Sequence, residues 1–531
     1  METPGRGGTP GRGVVRGGGV PRTKFQIQQD CGEYPMEPTR EQRDAIDAFT
    51  TGGSTKVNAY AGTGKTSSLT MLARATDRVG VYMAFNKAIA EDAKRKFPGT
   101  VRCQTTHAMA FSAMARRYQV PKMTGNLNGG IIARRLNLRD WGVGANIVMS
   151  GRGIGWMIAQ TLQRFMRSDR DQISLRDVPR PPSLDVLTEE QFRELQGRIY
   201  PIAVQVWEQV IDPQSDMPMS HDGYLKAWAL GRPMIPGEFI FVDEAQDTNG
   251  VVLGILRHQR AQLVFVGDAR QALYEWRGAI NAMETFETAH GTRLTKSWRF
   301  GPEIAREGSR ALLLLGETVP LTGDDKQPGR ICDIEKPDVI LARTNARCVQ
   351  EVLDEMDAGG RPVVVGGVAP LVAFCDGAEK LLMGIPSDHE DLIGFTTWKQ
   401  VVDLSQKDEG QDLRVMVNLI EKHGAAKLKR QLNALPKDER DGTVIISTGH
   451  KSKGREWGKV RLCDDFLRGF REPEPDKKVR AHIDPSELRL YYVACTRARK
   501  ELEIAPDLVR KIRLLEADSA HKAAASAKVA A

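Results

Sequence analysis

The chain has 531 residues, of which 41% are apolar and 27% are charged, a composition typical of several globular domains in one polypeptide. Lys and Arg total 76 and Asp and Glu total 68, so the net charge of +8 is compatible with a polyanionic partner but does not establish one. No apolar run approaches the ~20 residues that span a bilayer, which argues against an integral membrane protein, and the N-terminus lacks an apolar segment, so we expect no secretory signal.

Glycine and arginine dominate the start of the chain. Residues 1–24 contain eight glycines, four arginines and one lysine against a single acid, so they have too little apolar surface to offset the entropy of folding. We predict a disordered tail over residues 1–37, with loose contact to nucleic-acid phosphates as the alternative to a purely solvated segment. The alanine-rich end lacks apolar periodicity, and we predict a second tail over residues 511–531.

Short apolar runs alternate with helical patterns between the two tails. Continuous apolar character is what a strand buried on both faces requires, so the pattern predicts an α/β protein with parallel sheets. Two helix-leaning stretches, Ser112–Pro236 and Leu371–Glu439, predict insertions into this framework. The predicted strands are Thr55–Ala59, Val79–Phe85, Phe239–Val242, Leu263–Val266, Val339–Ala342, Pro362–Val365 and Thr443–Ser447.

A glycine-rich turn follows the first predicted strand and precedes a predicted helix. Its residues, Ala59–Thr66, fit the phosphate-loop pattern of a small residue, four variable positions and Gly-Lys-Ser/Thr. Lys65 is placed to reach the β- and γ-phosphates, and Thr66 is placed to offer its hydroxyl to Mg²⁺. A turn without a ligand is the alternative, which the strand–turn–helix context disfavours. The predicted nucleotide-binding residues here are Ala61, Gly62, Thr63, Gly64, Lys65, Thr66 and Ser67.

Two acids, Asp243 and Glu244, come directly after the continuous apolar strand Phe239–Val242. Ligands bind at the carboxyl ends of strands in α/β sheets, so we expect this pair beside the phosphate loop. Asp243 is placed to hold Mg²⁺, and Glu244 is placed to orient and deprotonate the attacking water. A solvated pair of acids is the alternative, which the apolar strand and the upstream loop disfavour.

The strand Leu263–Val266 leads into a segment with a glutamine and two aromatic residues. Gln271 lies just past the strand end, where it is placed to sense the γ-phosphate. Tyr274 and Trp276 follow at close spacing, and aromatic rings near such a sheet can stack on nucleic-acid bases. Burial of both rings in a core is the alternative, and the pattern alone favours it.

These segments, in this order, resemble the motifs of superfamily 1 DNA helicases of the UvrD/Rep group. The phosphate loop is similar to motif I, and the resemblance runs from about Pro38 to Ala505. The further matching segments are Pro38–Gln42 (Q motif), Val242–Asp247 (II), Val266–Gly278 (III), Ser297–Phe300 (IV), Thr448–Glu456 (V) and Leu490–Ala498 (VI). Motifs II, III, V and VI, present together and in the right order, make the match specific.

The resemblance implies nucleotide contacts that the residue pattern alone does not. Gln42 would read the adenine edge, and Trp298 would stack on adenine. Arg299 would contact the γ-phosphate, Glu456 would bind the ribose hydroxyl, and Arg497 would act as an arginine finger.

The resemblance also implies that single-stranded DNA lies across both domains. It favours base stacking over core packing for the two aromatic residues of motif III. The DNA-binding residues that it implies are Phe85, Asn86, Thr106, His107, Tyr274, Trp276 and His450.

Several positions depart from the usual UvrD pattern. Trp298 and Phe300 stand where Tyr and Ser are common, and Arg455 stands where Leu is common. Together with Asp464–Phe466, these variants resemble the F-box DNA helicase branch and its phage relatives. No F-box can be recognised before the Q motif, so no ubiquitin-ligase role is transferred.

The resemblance implies two RecA-like domains, 1A and 2A, with ATP between them, and a mostly helical insertion in each. The implied boundaries are 38–111 and 237–288 for 1A, 112–236 for its insertion 1B, 289–370 and 440–510 for 2A, and 371–439 for its insertion 2B.

The implied activity is translocation in the 3′→5′ direction along single-stranded DNA, with unwinding of duplex, driven by ATP and Mg²⁺. Junctions of single- and double-stranded DNA are the implied substrates, with replication or recombination proteins as further partners. Alternatives are a translocase that strips bound proteins, a non-enzymatic binding module, and a 5′→3′ or RNA-directed enzyme. The expected location is the cytoplasm of a bacterial or phage-infected cell, or the nucleus in a eukaryote.

Overall fold

A computed structural model describes most of the chain. The described residues are 37–143, 147–181, 184–185, 187–274, 278–387, 389, 391–406, 411–473 and 480–530. The predicted N-terminal tail, except residue 37, and the predicted DNA-binding residue Trp276 lie outside these ranges.

The described residues form strands and helices in alternation along most of the chain. The strands are β1 (Thr55–Ala59), β2 (Gly80–Ala84), β3 (Val101–Thr105), β4 (Trp141–Val143), β5 (Ile147–Met149), β6 (Phe239–Val242), β7 (Gln262–Gly267), β8 (His290–Leu294), β9 (Arg330–Ile331), β10 (Val339–Ala342), β11 (Pro362–Val364), β12 (Val444–Thr448), β13 (Trp457–Leu462) and β14 (Ala498–Ile504).

The helices cover both faces of the sheets. They are α1 (Arg40–Thr51), α2 (Lys65–Arg74), α3 (Lys87–Lys96), α4 (Thr106–Met114), α5 (Val120–Met123), α6 (Gly129–Arg135), α7 (Gly151–Arg167), α8 (Glu189–Ile211), α9 (His221–Leu230), α10 (Gly250–Leu256), α11 (Ala282–Thr285), α12 (Pro302–Leu314), α13 (Asn345–Asp357), α14 (Ala369–Leu382), α15 (Trp398–Ser405), α16 (Gln411–His423), α17 (Ala425–Asn433), α18 (Pro485–Cys495) and α19 (Pro506–Ala530).

The first sheet has the strand order β3-β2-β6-β7-β1-β8, and all its described pairs are parallel. Strand β6 shows why a continuous apolar run was needed. Phe239 and Phe241 pack on one face of the sheet, and Ile240 and Val242 pack on the other, so both faces are buried. The order places the ends of β1, β6 and β7 side by side, which brings the phosphate loop next to the acidic pair.

The second sheet has the order β11-β12-β10-β13-β14-β9, again with all described pairs parallel. Its core contains fully buried Tyr491 and Tyr492 from α18 together with Phe300 and Phe466. The prediction of an α/β protein with two RecA-like domains is thereby confirmed. We call the parts of the chain built on the two sheets the first and second domains.

Both insertions are mostly helical, and each shares a continuous core with its domain. The segment from α5 to α9 packs against one face of the first sheet, and only the short antiparallel hairpin β4–β5 interrupts its described helices. The segment from α14 to α17 packs against α13 and the second sheet. No helix among the described residues is both long enough and apolar enough to cross a membrane.

Strand β8 pairs in parallel with β1 and therefore belongs to the first sheet. The sequence placed its residues at the start of the second domain, with the first domain ending at residue 288. Its pattern, His290–Leu294, is half-exposed because it is an edge strand, so it carries no continuous apolar run. The other domain boundaries stay predictions.

The predicted C-terminal tail over residues 511–531 is wrong for most of its length. Helix α19 runs through it to Ala530, and Leu508, Ile512 and Leu515 are buried in the core of the second domain. These residues recur at helical spacing and form one apolar stripe. The alanines that follow lack apolar periodicity, so the pattern did not indicate a helix, but alanine has a high helix propensity.

We predict that Ile512→Ala destabilises the second domain by about 2–5 kcal/mol, because it leaves a cavity in a packed core. Ile512 is fully buried, whereas its neighbour Arg513 is exposed, so Arg513→Ala is a matched control on the same helix. Urea unfolding followed by far-UV circular dichroism measures the difference in midpoint. Equal midpoints for the two variants would contradict the docking of α19.

Candidate nucleotide and DNA site

The phosphate loop connects β1 to α2 at the carboxyl edge of the first sheet. Gly62 and Gly64 have φ of +74° and +83°, which L side chains rarely adopt, so glycine is needed at both positions. Helix α2 begins at Lys65 and directs its free N–H groups toward the loop. The predicted strand–loop–helix context of this segment is therefore present.

Lys65 and Glu244 form an ion pair at this edge. The Lys65 Nζ lies 3.0 Å from each carboxylate oxygen of Glu244, and Gln246 Nε2 donates to Glu244 Oε2 at 2.6 Å. Glu244 has φ of +50°, a conformation that is rare for residues other than glycine. Such strain persists only where surrounding contacts impose it, and it is common at catalytic sites.

Burial and neighbouring charges shift the pKa values of Asp243 and Glu244 in opposite directions. Burial, together with the neighbouring Glu244, raises the pKa of Asp243, and Lys65 only partly opposes this. Burial alone would raise the pKa of Glu244, but the charges of Lys65 and Lys453 lower it below its ordinary value. Glu244 is therefore the acid that stays ionised over the wider pH range, as a group that attracts a proton from water must.

Asp243 is held by hydrogen bonds to both of its oxygens. Tyr82 donates its hydroxyl to Oδ2 at 2.5 Å, and the backbone N–H of Glu244 donates to Oδ1 at 2.9 Å. Tyr82 is completely buried in the neighbouring strand β2. Sequence reasoning missed Tyr82, because an aromatic residue inside an apolar strand carries no sign of a polar role.

The motif III loop meets the phosphate loop through a residue of the second domain. Gln271 Nε2 and the Tyr492 hydroxyl both donate to Asp268 Oδ2, each at 2.8 Å. The same Tyr492 oxygen accepts the backbone N–H of Ala61 at 2.9 Å. Tyr492 lies on α18 and is fully buried, so it joins three segments that the sequence places far apart.

Motif IV lies against the phosphate loop. The backbone N–H of Trp298 donates to the Gly62 carbonyl at 2.9 Å, and a Cβ on Gly64 would lie 3.8 Å from the Trp298 ring. Arg299 Nη2 lies 2.7 Å from Glu456 Oε1, and Arg299 Nη1 donates to the Thr496 carbonyl at 2.9 Å. The Arg299 Nε is buried without a hydrogen-bond partner in the described part of the chain.

Arg497 lies behind Arg299, with 2% of its surface exposed. Its Nε donates to the Val493 carbonyl at 2.8 Å, and its Nη1 donates to the Arg455 carbonyl at 3.3 Å. Burial and the nearby Arg299 guanidinium lower the pKa of Arg497, and Glu456 opposes them. A buried guanidinium beside a second, partly buried one is unfavourable unless anions approach them, which fits a phosphate site.

Lys453 of motif V also reaches into the first domain. Its Nζ lies 2.5 Å from Asp247 Oδ2 and also donates to the Gln271 carbonyl. The same ammonium lies 5.3 Å from the centre of the Tyr274 ring. Lys453 belongs to motif V, and its pairing with Asp247 could not be deduced from two segments about two hundred residues apart.

Gln42 lies near the start of α1, on the far side of the phosphate loop. Its Oε1 accepts the Thr39 N–H at 2.9 Å in a capping box, and its Nε2 donates to Ser68 Oγ at 3.2 Å. Gln42 is thus anchored to the helix that follows the loop. Its role toward adenine, like the nucleotide role of Ser67, stays a prediction.

The residues predicted to bind DNA lie around the ends of β2 and β3 and at the motif III–motif V contact. Phe85 is 54% exposed, and Asn86 accepts the Ile89 N–H as the N-cap of α3. Phe85, Thr106 and His107 line a cavity of about 110 Å³ together with Asp243 and Asp247.

Tyr274 and His450 form the second part of this predicted surface. The Tyr274 hydroxyl donates to the His450 carbonyl at 3.2 Å, so the two domains touch there. The structure therefore places these two residues together across the cleft and places Phe85, Thr106 and His107 on the first domain alone.

Comparisons with known proteins agree with this geometry. The UvrD/REP helicase N-terminal domain matches residues 236–290, and the UvrD-like helicase C-terminal domain matches residues 396–506. These matches fall on motifs II and III and on motifs V and VI.

Two F-box DNA helicases extend the similarity over most of this chain. The F-box DNA helicase protein 1 of Schizosaccharomyces pombe is 29% identical over 90% of this chain and 58% of its own length. The F-box DNA helicase 1 of Gallus gallus is 27% identical over 90% of this chain and 50% of its own length. The ATP-dependent DNA helicase PcrA of Leuconostoc citreum is 32% identical over 16% of this chain and 12% of its own length. The chain spans about half the length of the F-box relatives, and the resemblance predicted from the motifs is confirmed.

We predict that Gly62→Ala weakens ATP binding about tenfold. An added Cβ would lie 2.4 Å from Ser297 Oγ and 2.7 Å from Arg299 Cβ, and the positive φ adds about 1–2 kcal/mol of strain. Gly99→Ala is the control, because its Cβ would meet nothing within 4 Å. Titration with a fluorescent ATP analogue compares the variants. Equal affinities would show that motif IV does not press on the phosphate loop.

Proposed function

We propose that the chain, which carries UvrD-like helicase N- and C-terminal domains, is an ATP-dependent enzyme that moves 3′→5′ along single-stranded DNA and unwinds duplex. The observation that carries this proposal is the convergence of groups from both domains on one phosphate loop. Lys65 and Glu244 come from the first domain, and Trp298 and Arg299 come from the second. A site divided between two domains links their relative position to the nucleotide that it holds.

The first domain supplies the groups that hold and attack ATP. The loop N–H groups and Lys65 bind the phosphates, and this requires Lys65 to leave its pair with Glu244. Glu244, once released, is free to orient a water and accept its proton, and the nearby Lys453 ammonium still favours its ionised form. Gln271, hydrogen-bonded to Asp268, is placed to report the presence of the γ-phosphate to the motif III loop.

The residues present fit a magnesium ion. Thr66 and Asp243 are oxygen donors of the kind that Mg²⁺ prefers, and Asp243 is oriented by Tyr82 rather than paired with a cation. Bound Mg²⁺ would neutralise the charge of the phosphates during their transfer. Tyr82 and the backbone of Glu244 keep the carboxylate facing the loop.

The second domain supplies cations for the charge that develops during hydrolysis. Arg299 is held by Glu456, and Arg497 is held by backbone carbonyls of its own domain, so both are positioned before closure. Arginine side chains in such positions accelerate phosphoryl transfer by about 10³–10⁵. Glu456 pairs with Arg299, and its predicted contact with the ribose hydroxyl is part of the proposal.

The DNA path follows from the same arrangement. The proposed DNA contacts in the first domain are Phe85, Asn86, Thr106 and His107, and the one in the second domain is His450. Alternate opening and closing of the cleft would move these two groups of contacts relative to each other, and Tyr274 and Trp276 would stack on the bases. The F-box relatives and PcrA are named as DNA helicases, which supports DNA as the substrate.

A translocase that removes bound proteins with little unwinding is the second candidate. Its catalytic and DNA-binding residues would be the same, since both activities use one engine. The insertion from α14 to α17 is compact and shares the core of the second domain, which leaves a small separate surface for holding duplex.

Strand displacement with ATP and Mg²⁺ tests the proposal. Two duplexes of equal length are compared, one with a 3′ single-stranded tail and one with a 5′ tail. We expect displacement only from the 3′ tail. Displacement only from the 5′ tail would reverse the polarity, and stimulated hydrolysis without any displacement would favour the translocase.

We predict that Lys65→Ala abolishes ATP hydrolysis while binding of single-stranded DNA persists, because the ammonium no longer binds the phosphates. Phosphate release and DNA anisotropy measure the two properties on the same preparation. Residual turnover above roughly a tenth of the wild-type rate would contradict the assignment of the phosphate loop.

We predict that Arg497→Ala retains ATP binding and lowers turnover about 10³-fold or more. Arg499→Ala is the control, since Arg499 lies two residues further along the chain with an exposed side chain. Nucleotide titration separates affinity from rate. A nearly normal rate for Arg497→Ala would remove Arg497 from the catalytic set.

A further inference from the structure

The second residue of the phosphate loop segment, Tyr60, reaches into the other domain. Its side chain is 1% exposed and belongs to the core of the second domain, with Phe300 and Leu321. Its hydroxyl lies 3.0 Å from both Glu317 Oε2 and the Val319 carbonyl. Burial and the Glu317 carboxylate raise the pKa of Tyr60, so the hydroxyl keeps the proton that it donates.

Glu317 also holds the motif III loop. Arg270 Nε donates to Glu317 Oε1 at 2.8 Å, and the same guanidinium pairs with Glu284 at 3.0 Å. Arg270 directly precedes Gln271 in the chain. One carboxylate of the second domain therefore binds, through its two oxygens, two different loops of the first domain.

The backbone fixes Glu317 firmly. Gly316 ends helix α12 with φ of +87°, and the Glu317 N–H donates to the Leu312 carbonyl at 3.0 Å, which is the 6→1 bond of a Schellman motif. The Glu317 side chain is 8% exposed. Separation of the domains would break both of its first-domain contacts together and leave the carboxylate without them, so the two loops are held or released at the same time.

We propose that Glu317 is a positioning residue that couples DNA binding to ATP turnover, because it ties the phosphate loop and the Gln271 loop to one point of the second domain. The inference rests on the proposed function. The Gln271 loop continues to Tyr274, which contacts His450 in the predicted DNA path. Single-stranded DNA bound there acts on the phosphate loop through Arg270, Glu317 and Tyr60.

The chain provides a closely matched control. Glu307 is also a buried carboxylate that accepts a tyrosine hydroxyl and an arginine, Tyr491 at 2.7 Å and Arg310 at 3.1 Å. All three of these residues lie within the second domain, whereas the contacts of Glu317 cross the cleft. Glu317→Gln and Glu307→Gln thus remove the same chemistry from two places.

The experiment measures steady-state ATP turnover with and without an oligothymidylate strand for wild type, Glu317→Gln and Glu307→Gln. We expect the ratio of stimulated to basal turnover to fall about five- to tenfold in Glu317→Gln, in the range of measured coupling between sites. Glu307→Gln should keep the wild-type ratio. Thermal unfolding of both variants measures the loss of stability. If Glu317 had a purely structural role, its replacement would lower the stability and leave the ratio of stimulated to basal turnover unchanged.

Each outcome decides the inference. A wild-type ratio in folded Glu317→Gln, or an equal fall in both variants, would overturn it while leaving the proposed function intact. No stimulation of the wild type by DNA would overturn the proposed function and the inference with it. If Glu317→Gln does not fold, Tyr60→Phe replaces it, since it keeps the buried ring and removes one of the two ties. Its ratio should fall at least about twofold, and an unchanged ratio would overturn the inference.

Discussion

Desolvation of charge at the carboxyl edge of the first sheet is the constraint on which the rest of the site depends. Asp243, Glu244 and Asp268 lie there around Lys65, and burial raises the pKa of Asp268 as it does that of Asp243. Carboxylates removed from water are costly unless cations or donors compensate them. One lysine does not balance three acids. The remaining compensation comes from hydroxyl donors, Tyr82 and Tyr492, and from Lys453 of the second domain.

This imbalance gives the second domain an electrostatic reason to close on the first. Lys453 pairs with Asp247 and lowers the pKa of Glu244, while Tyr492 satisfies Asp268 and the N–H of Ala61. The second domain has the opposite imbalance, because the guanidinium groups of buried Arg497 and partly buried Arg299 are accompanied by one exposed glutamate, Glu456. In the proposed function, polyphosphate with its cation would satisfy both edges, and opening of the cleft would expose unpaired groups on both sides.

The sequence predicted local features well and long-range ones poorly, for a physical reason. Strand β6 and the phosphate loop depend on contiguous residues, so an apolar run or a glycine spacing reveals them. Edge strand β8 lacks such a run, and α19 was missed because its stripe of three residues merges into an alanine-rich end. Tyr60 and Glu317 are 257 residues apart, and nothing in either segment indicates their contact. The predicted site residues all come from local motifs, whereas the contacts that they make across the cleft could be seen only in the fold.

The connection between the domains is itself part of the site. The chain leaves β8 and reaches Thr295, whose N–H and hydroxyl donate to Glu41 of α1 at 2.8 and 2.6 Å. Two residues later, motif IV lies against Gly62. The crossing segment is therefore fixed at one end to the helix that carries Gln42 and at the other to the phosphate loop. In the proposed function both anchors belong to the nucleotide site, so a hinge motion at this crossing would alter that site, and domain movement and nucleotide binding would share these hydrogen bonds.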